Sequence, residues 1–439
     1  MSTVDKISTI TGISIGEIHI LFCLIGQMVA SALYYLLPID SKSNNYNRQK
    51  KLREFYGLSI GLLSCLYLFP LHELLIIFAS NVIFYNLSKL CKTPQTTLSL
   101  SFVIFSILCM ANIHRAVFFY EENLSNFSLL LMILVPKQIY FNWHIYGIHA
   151  RKNDEDARFM YPSLFDYFCY IFNYIGNLTT PIYSYQEYLD FIDQNYEETK
   201  FSPRNFFRKA GYLILTVILY IIIGKYHDYN LIDTKSFEEL NMAHQLLYIT
   251  VQGFYIRVRY YFIWLLADVD IVLANFRDSD TNYKTYISSI DLMKVETSTS
   301  PKTKIANWNI SITKFYRICF YNPLIDHLKM KKSRASLFVF VLSAFWHGFY
   351  PTYYLSFFFT YIMSMTERIV FRNKEELWFF PTVLFWFFFD IMAIIFKRHT
   401  FRSTKEVLLN TWLFVLLNPL MHVSIRIYLR YLHKRRKHK

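Results

Sequence analysis

The sequence predicts an all-α, polytopic integral membrane protein with about eleven transmembrane or re-entrant helices. Hydrophobic residues make up 54% of its 439 residues, and charged residues make up only 18%. Soluble domains carry roughly 25% charged residues. The apolar residues also cluster in stretches of spanning or near-spanning length. Because no Pro/Gly/Ser-rich linker divides the chain and no repeat is visible, we expect a single domain over residues 1–439.

The apolar stretches give the expected elements in chain order. They cover residues 14–38, 55–70, 72–88, 98–120, 128–148, 162–180, 210–224, 242–266, 336–366, 377–396 and 407–430. The stretch 336–366 is long enough for two spans, whereas the shorter stretches suit tilted, re-entrant or buried helices. Aromatic and basic residues in 181–209 are typical of an interfacial helix and loop. Residues 268–335 form the largest polar insertion.

The net charge of +14 is explained by membrane topology. In a soluble protein such a charge would indicate nucleic-acid binding. Here the basic residues lie between apolar stretches, so we expect no nucleic-acid partner. The basic connections after the first, third and fifth stretches are expected in the cytosol, and the loop with the acidic residues Glu121 and Glu122 is expected on the opposite side. The insertion 268–335 is then cytosolic, and the basic tail 434–439 is compatible with the endoplasmic reticulum membrane.

A histidine and an asparagine are the candidate catalytic residues. His347 lies inside an apolar, aromatic run at 345–357, where an ionisable group is costly and is usually retained for function. Burial there favours the neutral imidazole that a general base requires. Upstream, Asn309 offers an uncharged amide donor for an oxyanion. A base, an oxyanion donor and the exclusion of water are what acyl transfer to a hydroxyl group requires.

Other interpretations of these residues stay open. A membrane histidine is about as often a hydrogen-bonding group between helices as a catalytic one. No G-x-S-x-G motif is present, and Ser343, one helical turn before His347, lacks an acid partner, so direct transfer is simpler than an acyl-enzyme. Asp390 suits a polar contact between helices. Arg257 and Arg259 suit the phosphate of a headgroup. No two of the six cysteines form a C-x-x-C pair, so no metal site is expected.

Two specific segments resemble the membrane-bound O-acyltransferase family in its lysophospholipid acyltransferase branch. W-N-I-S-I-T at 308–313 resembles the motif that contains the family's asparagine. S-A-F-W-H-G-F-Y-P-T-Y-Y-L at 343–355 resembles the motif around its active-site histidine. Thr352 stands where that motif usually has glycine, which bears on the shape of the substrate tunnel rather than on the chemistry.

Two further segments resemble the branch less specifically. They are R-V-R-Y-Y-F-I-W at 257–264, and P-S-L-F-D-Y at 162–167 followed by P-x-x-S-Y-x-x-Y at 181–188. Thr180 stands where the branch has glycine before its proline. Residues 174–190 look most similar to the members that acylate lysophosphatidylinositol.

The resemblance implies transfer of a fatty acyl chain from acyl-CoA, as co-substrate, to the free hydroxyl of a lysophospholipid in the bilayer, with no cofactor. It implies that His347 deprotonates the hydroxyl and that Asn309 positions the thioester or its oxyanion. Lys314 and Arg317, beyond Asn309 on an expected helix, are candidate contacts for the phosphates of CoA. The expected substrate-binding residues are Trp308, Thr313, Lys314, Arg317, Trp346, Tyr350, Arg257 and Arg259.

Rival functions remain at this point. The acceptor could be a protein or a sterol, or the chain could be a transporter or scaffold in which His347 is structural. Transporters often show repeated halves and helices broken by Gly or Pro. This chain has only 11 glycines and no visible repeat, which counts against a transporter. The headgroup, the acyl chain and the oligomeric state are left open.

Overall fold

A computed structural model of the chain describes residues 3–11, 14–34, 36–37, 43–118, 127–151, 161–193, 201–278, 285–373, 384–397 and 416–432. Regular structure within these ranges is helical, and the β-type pairing found there is one isolated bridge between Arg277 and Tyr286. The all-α class predicted from the sequence is therefore confirmed.

The helices have the following bounds. They are α1 (Thr3–Thr11), α2 (Ile15–Tyr34), α3 (Tyr46–Leu68), α4 (Leu71–Ser88), α5 (Pro94–Phe118), α6 (Phe127–Ala150), α7 (Leu164–Ile171), α8 (Tyr185–Ile192), α9 (Pro203–Tyr226), α10 (Lys235–Glu238), α11 (Met242–Leu273), α12 (Leu292–Thr297), α13 (Pro301–Asn307), α14 (Ile310–Tyr316), α15 (Asn322–Asp326), α16 (Lys332–His347), α17 (Pro351–Arg372) and α18 (Leu384–Lys397). Residues 416–432 form a further helix. A 3₁₀ turn covers Leu231–Asp233, and a π-helical turn covers Arg317–Tyr321.

Several helices have the length and surface of membrane spans. In the described part of the chain, α2, α4, α5 and α9 are long and apolar enough to cross a membrane. Large apolar side chains on them are exposed, for example Ile76 on α4 and Ile221 on α9. Helices satisfy their backbone hydrogen bonds internally, so such surfaces are stable against lipid. The chain is thus an all-α, polytopic membrane protein.

The apolar stretch 336–366 contains two helices, α16 and α17, as its length allowed. The stretch 162–180 is not a span. It contains only α7, which has eight residues, and about 20 are required to cross the hydrocarbon core. A capping box between Ser163 and Asp166 begins this helix. After it, Gly176 adopts a φ of 61°, which prevents a continued helix.

The interfacial helix expected in 181–209 was also a wrong prediction. The segment contains α8, which has eight residues and begins at a second capping box between Ser184 and Glu187. Tyr183, Tyr188 and Phe191 are at most 1% exposed, so their rings belong to a core rather than to a membrane surface. Residues 203–209 are already part of α9. Aromatic and basic residues alone did not distinguish these two environments.

The polar insertion 268–335 is largely helical. It holds the end of α11, the short helices α12 to α15 and the first residues of α16. Side-chain caps begin two of these helices: Asp291 accepts from the Lys294 N–H at 3.2 Å, and Ser300 accepts from the Thr303 N–H at 3.1 Å. Pro301 occupies the first turn of α13, where its missing N–H has no partner to lose.

Some expectations fall on parts of the chain outside the described residues. These parts are the acidic residues 121–123, the basic tail 434–439, and portions of the stretches 377–396 and 407–430.

The chain forms two compact units, each built from three segments. The first unit contains Met1–Leu213, Ile263–Ile290 and Asn309–Lys331, and the second contains Ile214–Phe262, Asp291–Trp308 and Lys332–Lys439. Helices α9 and α11 therefore contribute residues to both. The single domain expected over residues 1–439 stays a prediction.

Aromatic rings fill the core of the first unit. Tyr34 stacks on Phe191 with ring centroids 5.0 Å apart, and Phe191 stacks on Phe276 at 4.3 Å. Tyr170 on α7 and Tyr188 on α8 are also fully buried. Such ring pairs add about 0.5–1.5 kcal/mol each beyond the area that they bury. The abundance of Tyr and Phe in the sequence thus has a packing role in this unit.

In the second unit, α16 packs on α17 and α17 packs on α18. Helix α11 also approaches α18 closely, because it carries Gly253 at the contact. A Cβ atom at Gly253 would lie 2.6 Å from the Cβ of Asp390. Small residues permit such close helix pairs in membrane proteins.

Candidate active-site residues

His347 is the last residue of α16, and the residues after it turn the chain. Gly348 adopts a φ of 131°, a conformation that residues with side chains rarely adopt. Its N–H donates to the Ala344 carbonyl at 3.1 Å, which closes the last turn of the helix. Tyr350 then caps α17, and Pro351 begins it with a φ suited to a first turn. The sequence H-G-F-Y-P therefore places His347 at a corner between two helices.

Aromatic side chains surround the imidazole of His347. The ring of Phe396 on α18 meets it edge-on with centroids 4.8 Å apart. From α17, Phe357 stacks on it at 5.4 Å and Tyr353 lies at 5.5 Å. His347 itself is half-buried. The imidazole of this candidate base therefore lies among aromatic rings from two other helices.

The other expected site residues of this segment are buried in the second unit. Trp346 is 5% exposed and Tyr350 is 4% exposed. Tyr350 packs in one apolar cluster with Ala344 and Tyr353. Thr352, which replaces the family glycine, is fully buried, and its Oγ1 has no hydrogen-bond partner among the described residues. The departure from the motif therefore places a hydroxyl group inside the packing of this helix pair.

Asn309 belongs to the first unit and lies at the N-cap of α14. Its backbone is left-handed, with φ 49° and ψ 63°, a conformation that asparagine adopts more readily than most residues. The side chain makes no capping hydrogen bond. Its Oδ1 is buried and has no hydrogen-bond partner within the described ranges. A buried polar atom left in this way is costly, and with the strained backbone it indicates a ligand-binding role.

Beyond Asn309 the chain is helical, as expected, and Thr313 lies half-buried on α14. Lys314 donates to Glu187 Oε1 at 2.7 Å, so its charge is already paired within the first unit. Arg317 is exposed and begins the π-helical turn, a feature that is frequent at functional sites. Of the two candidate contacts for CoA phosphates, Arg317 is the more accessible.

The two arginines of α11 have different environments. Arg257 is 2% exposed; its Nε donates to Glu296 Oε1 at 2.9 Å, and its guanidinium also pairs with Asp390 on α18. The interpretation of Asp390 as a contact between helices thus agrees with the structure. Arg259 is exposed. The expected phosphate contact therefore fits Arg259 and not Arg257, whose charge is neutralised by two carboxylates.

Trp308, the residue before Asn309, is packed against aromatic rings in the second unit. Its ring meets Phe389 and Tyr260 with centroids 5.8 Å away in each case. The Lys304 ammonium lies 5.4 Å from the centre of the Phe389 ring and donates to the Val295 carbonyl at 2.6 Å. Burial lowers the pKa of Lys304 to about 7. Trp308 therefore has a packing role in the second unit.

Three carboxylates form ion pairs that were not predicted from the sequence: Glu187 with Lys314, Glu296 with Arg257, and Asp268 with Lys209. For Glu187 a signal existed, because Ser184-x-x-Glu187 is a capping-box pattern, and its Oε2 accepts from the Ser184 N–H at 2.6 Å. Glu296 and Asp268 find their partners on other helices. No local pattern reveals such pairs.

Comparisons with known proteins agree with these motifs. A family model described as MBOAT, membrane-bound O-acyltransferase family, matches residues 58–401. Membrane-bound glycerophospholipid O-acyltransferase 2 of Gallus gallus is 26% identical over 418 residues, which cover 84% of this chain and 75% of that protein. Lysophospholipid acyltransferase 6 of Drosophila melanogaster is 25% identical over 386 residues, which cover 81% of this chain and 52% of that protein.

A relative with lower identity is also named as an acyltransferase. The lysophospholipid acyltransferase of Schizosaccharomyces pombe is 21% identical over 376 residues, which cover 80% of this chain and 72% of that protein. The family match covers well over half of the chain and includes the segments around Asn309 and His347. The chain therefore belongs to the membrane-bound O-acyltransferase family.

Proposed function

We propose that this protein transfers a fatty acyl chain from acyl-CoA to the free hydroxyl of a lysophospholipid. The observation that carries the proposal is the carboxamide of Asn309, which is held in a left-handed turn and makes no hydrogen bond among the described residues, so that its N–H group can donate to a substrate. The names of the relatives, which are lysophospholipid and glycerophospholipid acyltransferases, support the acceptor class.

In the proposed reaction, His347 accepts the proton of the lysolipid hydroxyl as its oxygen attacks the thioester carbonyl. The amide N–H of Asn309 stabilises the negative charge that develops on the carbonyl oxygen. The carbon–sulfur bond then breaks, and the leaving CoA thiolate takes the proton from His347. The products are a phospholipid and CoA, so atoms and charges balance without a further reactant.

The cationic residues would serve binding rather than chemistry. Arg317 is exposed beyond Asn309 and is our candidate for a phosphate of CoA. Arg259 is our candidate for the phosphate of the lipid headgroup. Within the acceptor class we propose lysophosphatidylinositol, on the resemblance of residues 174–190, and we propose the endoplasmic reticulum as the membrane.

The catalytic roles are tested by substitution in membranes that contain the full chain. His347→Ala should lower the rate of transfer from labelled acyl-CoA by about two to four orders of magnitude, because a positioned base contributes that much. Asn309→Ala should lower kcat by about two to three orders, the usual effect of losing one oxyanion donor. His327→Ala, an exposed histidine on the C-terminal side of α15, is the matched control and should keep full activity.

A correctly inserted His347→Ala protein with more than about a tenth of the wild-type rate would remove the base assignment. Asn309→Asp should stay inactive, because a carboxylate would repel the developing oxyanion. A panel of lysophospholipids, a sterol and an acceptor peptide then identifies the substrate. Transfer to the sterol or peptide alone would reject the proposed acceptor while leaving the acyltransferase activity in place.

A further inference from the structure

A buried ion pair in the first unit is linked to the Asn309 turn. Asp268 on α11 is 1% exposed, and its Oδ2 accepts from Lys209 of α9 at 2.5 Å. The Lys209 side chain is 14% exposed. Neither residue has a role in the proposed reaction. A pair at such depth requires further hydrogen bonds to offset its loss of hydration.

In the described part of the chain, those further hydrogen bonds go to residues 288–290. Asp268 Oδ1 accepts from the Ser289 N–H at 2.7 Å, and its Oδ2 accepts from the Ser288 hydroxyl at 2.5 Å. Lys209 Nζ donates to the Ser288 Oγ at 3.0 Å and to the Ile290 carbonyl at 3.3 Å. The two charged side chains thus fix three consecutive residues from both sides. Buried networks that are fully hydrogen-bonded are rigid.

The middle residue of this segment holds the turn that carries Asn309. The Ser289 carbonyl accepts from the Ile310 N–H at 2.8 Å. This N–H belongs to the first turn of α14, where amides have no partner inside the helix. Two hydrogen bonds through Ser289 therefore connect the Asp268 carboxylate to the residue next to Asn309.

These hydrogen bonds explain how Asn309 keeps its left-handed backbone conformation. A non-glycine residue in the left-handed region persists only where its surroundings determine the conformation. The N–H after Asn309 is held by Ser289, and the Asn309 carbonyl accepts from the Thr313 N–H at 3.1 Å. Both sides of the turn are then fixed, and the carboxamide needs no role in holding it.

We propose that Asp268, neutralised by Lys209, is a positioning residue for Asn309 and sets the catalytic rate through Ser289. The inference rests on the role proposed for Asn309 above. Asp268 does not touch the reacting atoms. Its effect is on the placement of the amide that does, and a misplacement of about 1 Å at a reacting group lowers the rate by about a hundredfold.

Substitutions of Asp268 distinguish an effect on the placement of the Asn309 amide from an effect of the lost charge. Asp268→Ala removes both acceptor oxygens and should lower kcat by about ten- to a hundredfold, while the KM values for acyl-CoA and lysolipid stay within about twofold. Asp268→Asn keeps one carbonyl oxygen for the Ser289 N–H and should lose less. Asp193→Asn makes the same chemical change in another Lys–Asp pair of the first unit, with Lys50, and should leave kcat unchanged.

The decisive experiment introduces Asp268→Ala into the Asn309→Ala protein. If Asp268 acts through Asn309, Asp268→Ala should lower the residual kcat no further, because the group that it positions is already gone. A merely structural role would lower kcat by the same factor in both backgrounds. Should Asp268→Ala fail to insert, Ser288→Ala removes the hydroxyl that bonds to both Asp268 and Lys209, and this variant enters the same comparison.

Different results would reject the role of Asn309 and the positioning role of Asp268. An Asn309→Ala protein with the wild-type kcat would reject the role of Asn309 itself. A slow Asn309→Ala protein beside an Asp268→Ala protein of wild-type kcat would overturn only the positioning role. Equal fold-losses of kcat in both backgrounds would overturn it as well.

Discussion

At the scale of single residues, the backbone conformation of Gly348 determines where the side chain of His347 lies. We predict that Gly348→Ala destabilises the protein by about 1–3 kcal/mol, since a side chain at a φ of 131° is strained. We also expect a large loss of acyl transfer, because the strain shifts the end of α16 and with it the imidazole. Thermal unfolding in detergent and the transfer rate measure the two effects.

Gly211→Ala is the matched control for this substitution. Gly211 lies inside α9, and a Cβ atom added there meets nothing within 4 Å. Alanine in a helix is more stable than glycine by about 0.5–1 kcal/mol, so this variant should be neutral or slightly stabilised. A Gly348→Ala protein that behaves like Gly211→Ala would show that the corner after His347 tolerates a side chain.

Much of the candidate chemistry at this scale could be predicted from the sequence, but its surroundings could not. A histidine inside an apolar run and an uncharged amide upstream are visible as residue types in a pattern. The edge-on contact of Phe396 with His347 is not visible, because that ring comes from a later helix. The bond from Ile310 to Ser289 is equally hidden, since it joins two backbone groups.

At the scale of elements, α11 carries two arginines that we expect to behave differently. Arg259→Ala should preserve folding and raise the KM for lysophospholipid about tenfold, with a smaller effect on acyl-CoA, because a charge-assisted hydrogen bond is lost. Arg257→Ala should instead reduce the amount of folded protein. It leaves Glu296 and Asp390 without their cation, and breaking a buried pair costs about 3–5 kcal/mol.

The measurements are the folded yield from size-exclusion chromatography in detergent, followed by substrate kinetics on each variant. The two arginines control for each other, since they lie two residues apart on one helix. An unchanged lysolipid KM in Arg259→Ala would show that α11 does not contact the headgroup. A well-folded Arg257→Ala protein would show that its two carboxylates tolerate the loss of their partner.

The helices whose bounds the sequence anticipated are the long apolar ones, because their signal extends over many residues. The apolar stretch 128–148 corresponds to α6, and 14–38 to α2. The helices of segment 162–193 could not be predicted from apolar stretches, because a buried, aromatic turn region and an apolar span have similar composition. Its two capping boxes, at Ser163 and Ser184, were the signals for short helices.

At the scale of the whole molecule, composition predicted the all-α membrane class but not the division into two units. The segments of each unit are far apart in the chain, and one of the five boundaries between them falls on the peptide bond between Trp308 and Asn309. No change in composition marks that position, since W-N-I-S-I-T reads as one motif. A division of this kind follows from contacts between distant segments, which no local pattern encodes.

Orientation in the membrane is a property of the whole chain, and it decides from which side the proposed donor, acyl-CoA, can enter. From its basic residues we expect the insertion 268–335 in the cytosol, the side from which acyl-CoA, which does not cross the bilayer, would reach it. We therefore predict that a cysteine introduced by Lys302→Cys, at an exposed side chain of α13, is labelled by an impermeant thiol reagent added outside sealed microsomes. Glu122→Cys, in the acidic segment expected on the lumenal side, should react only after the membrane is opened.

Four of the six native cysteines are buried, so background labelling should be low, and a variant without the other two, Cys23 and Cys109, lowers it further. Labelling in the reverse order would invert the predicted topology and place the proposed CoA contact at Arg317 on a side that acyl-CoA does not reach.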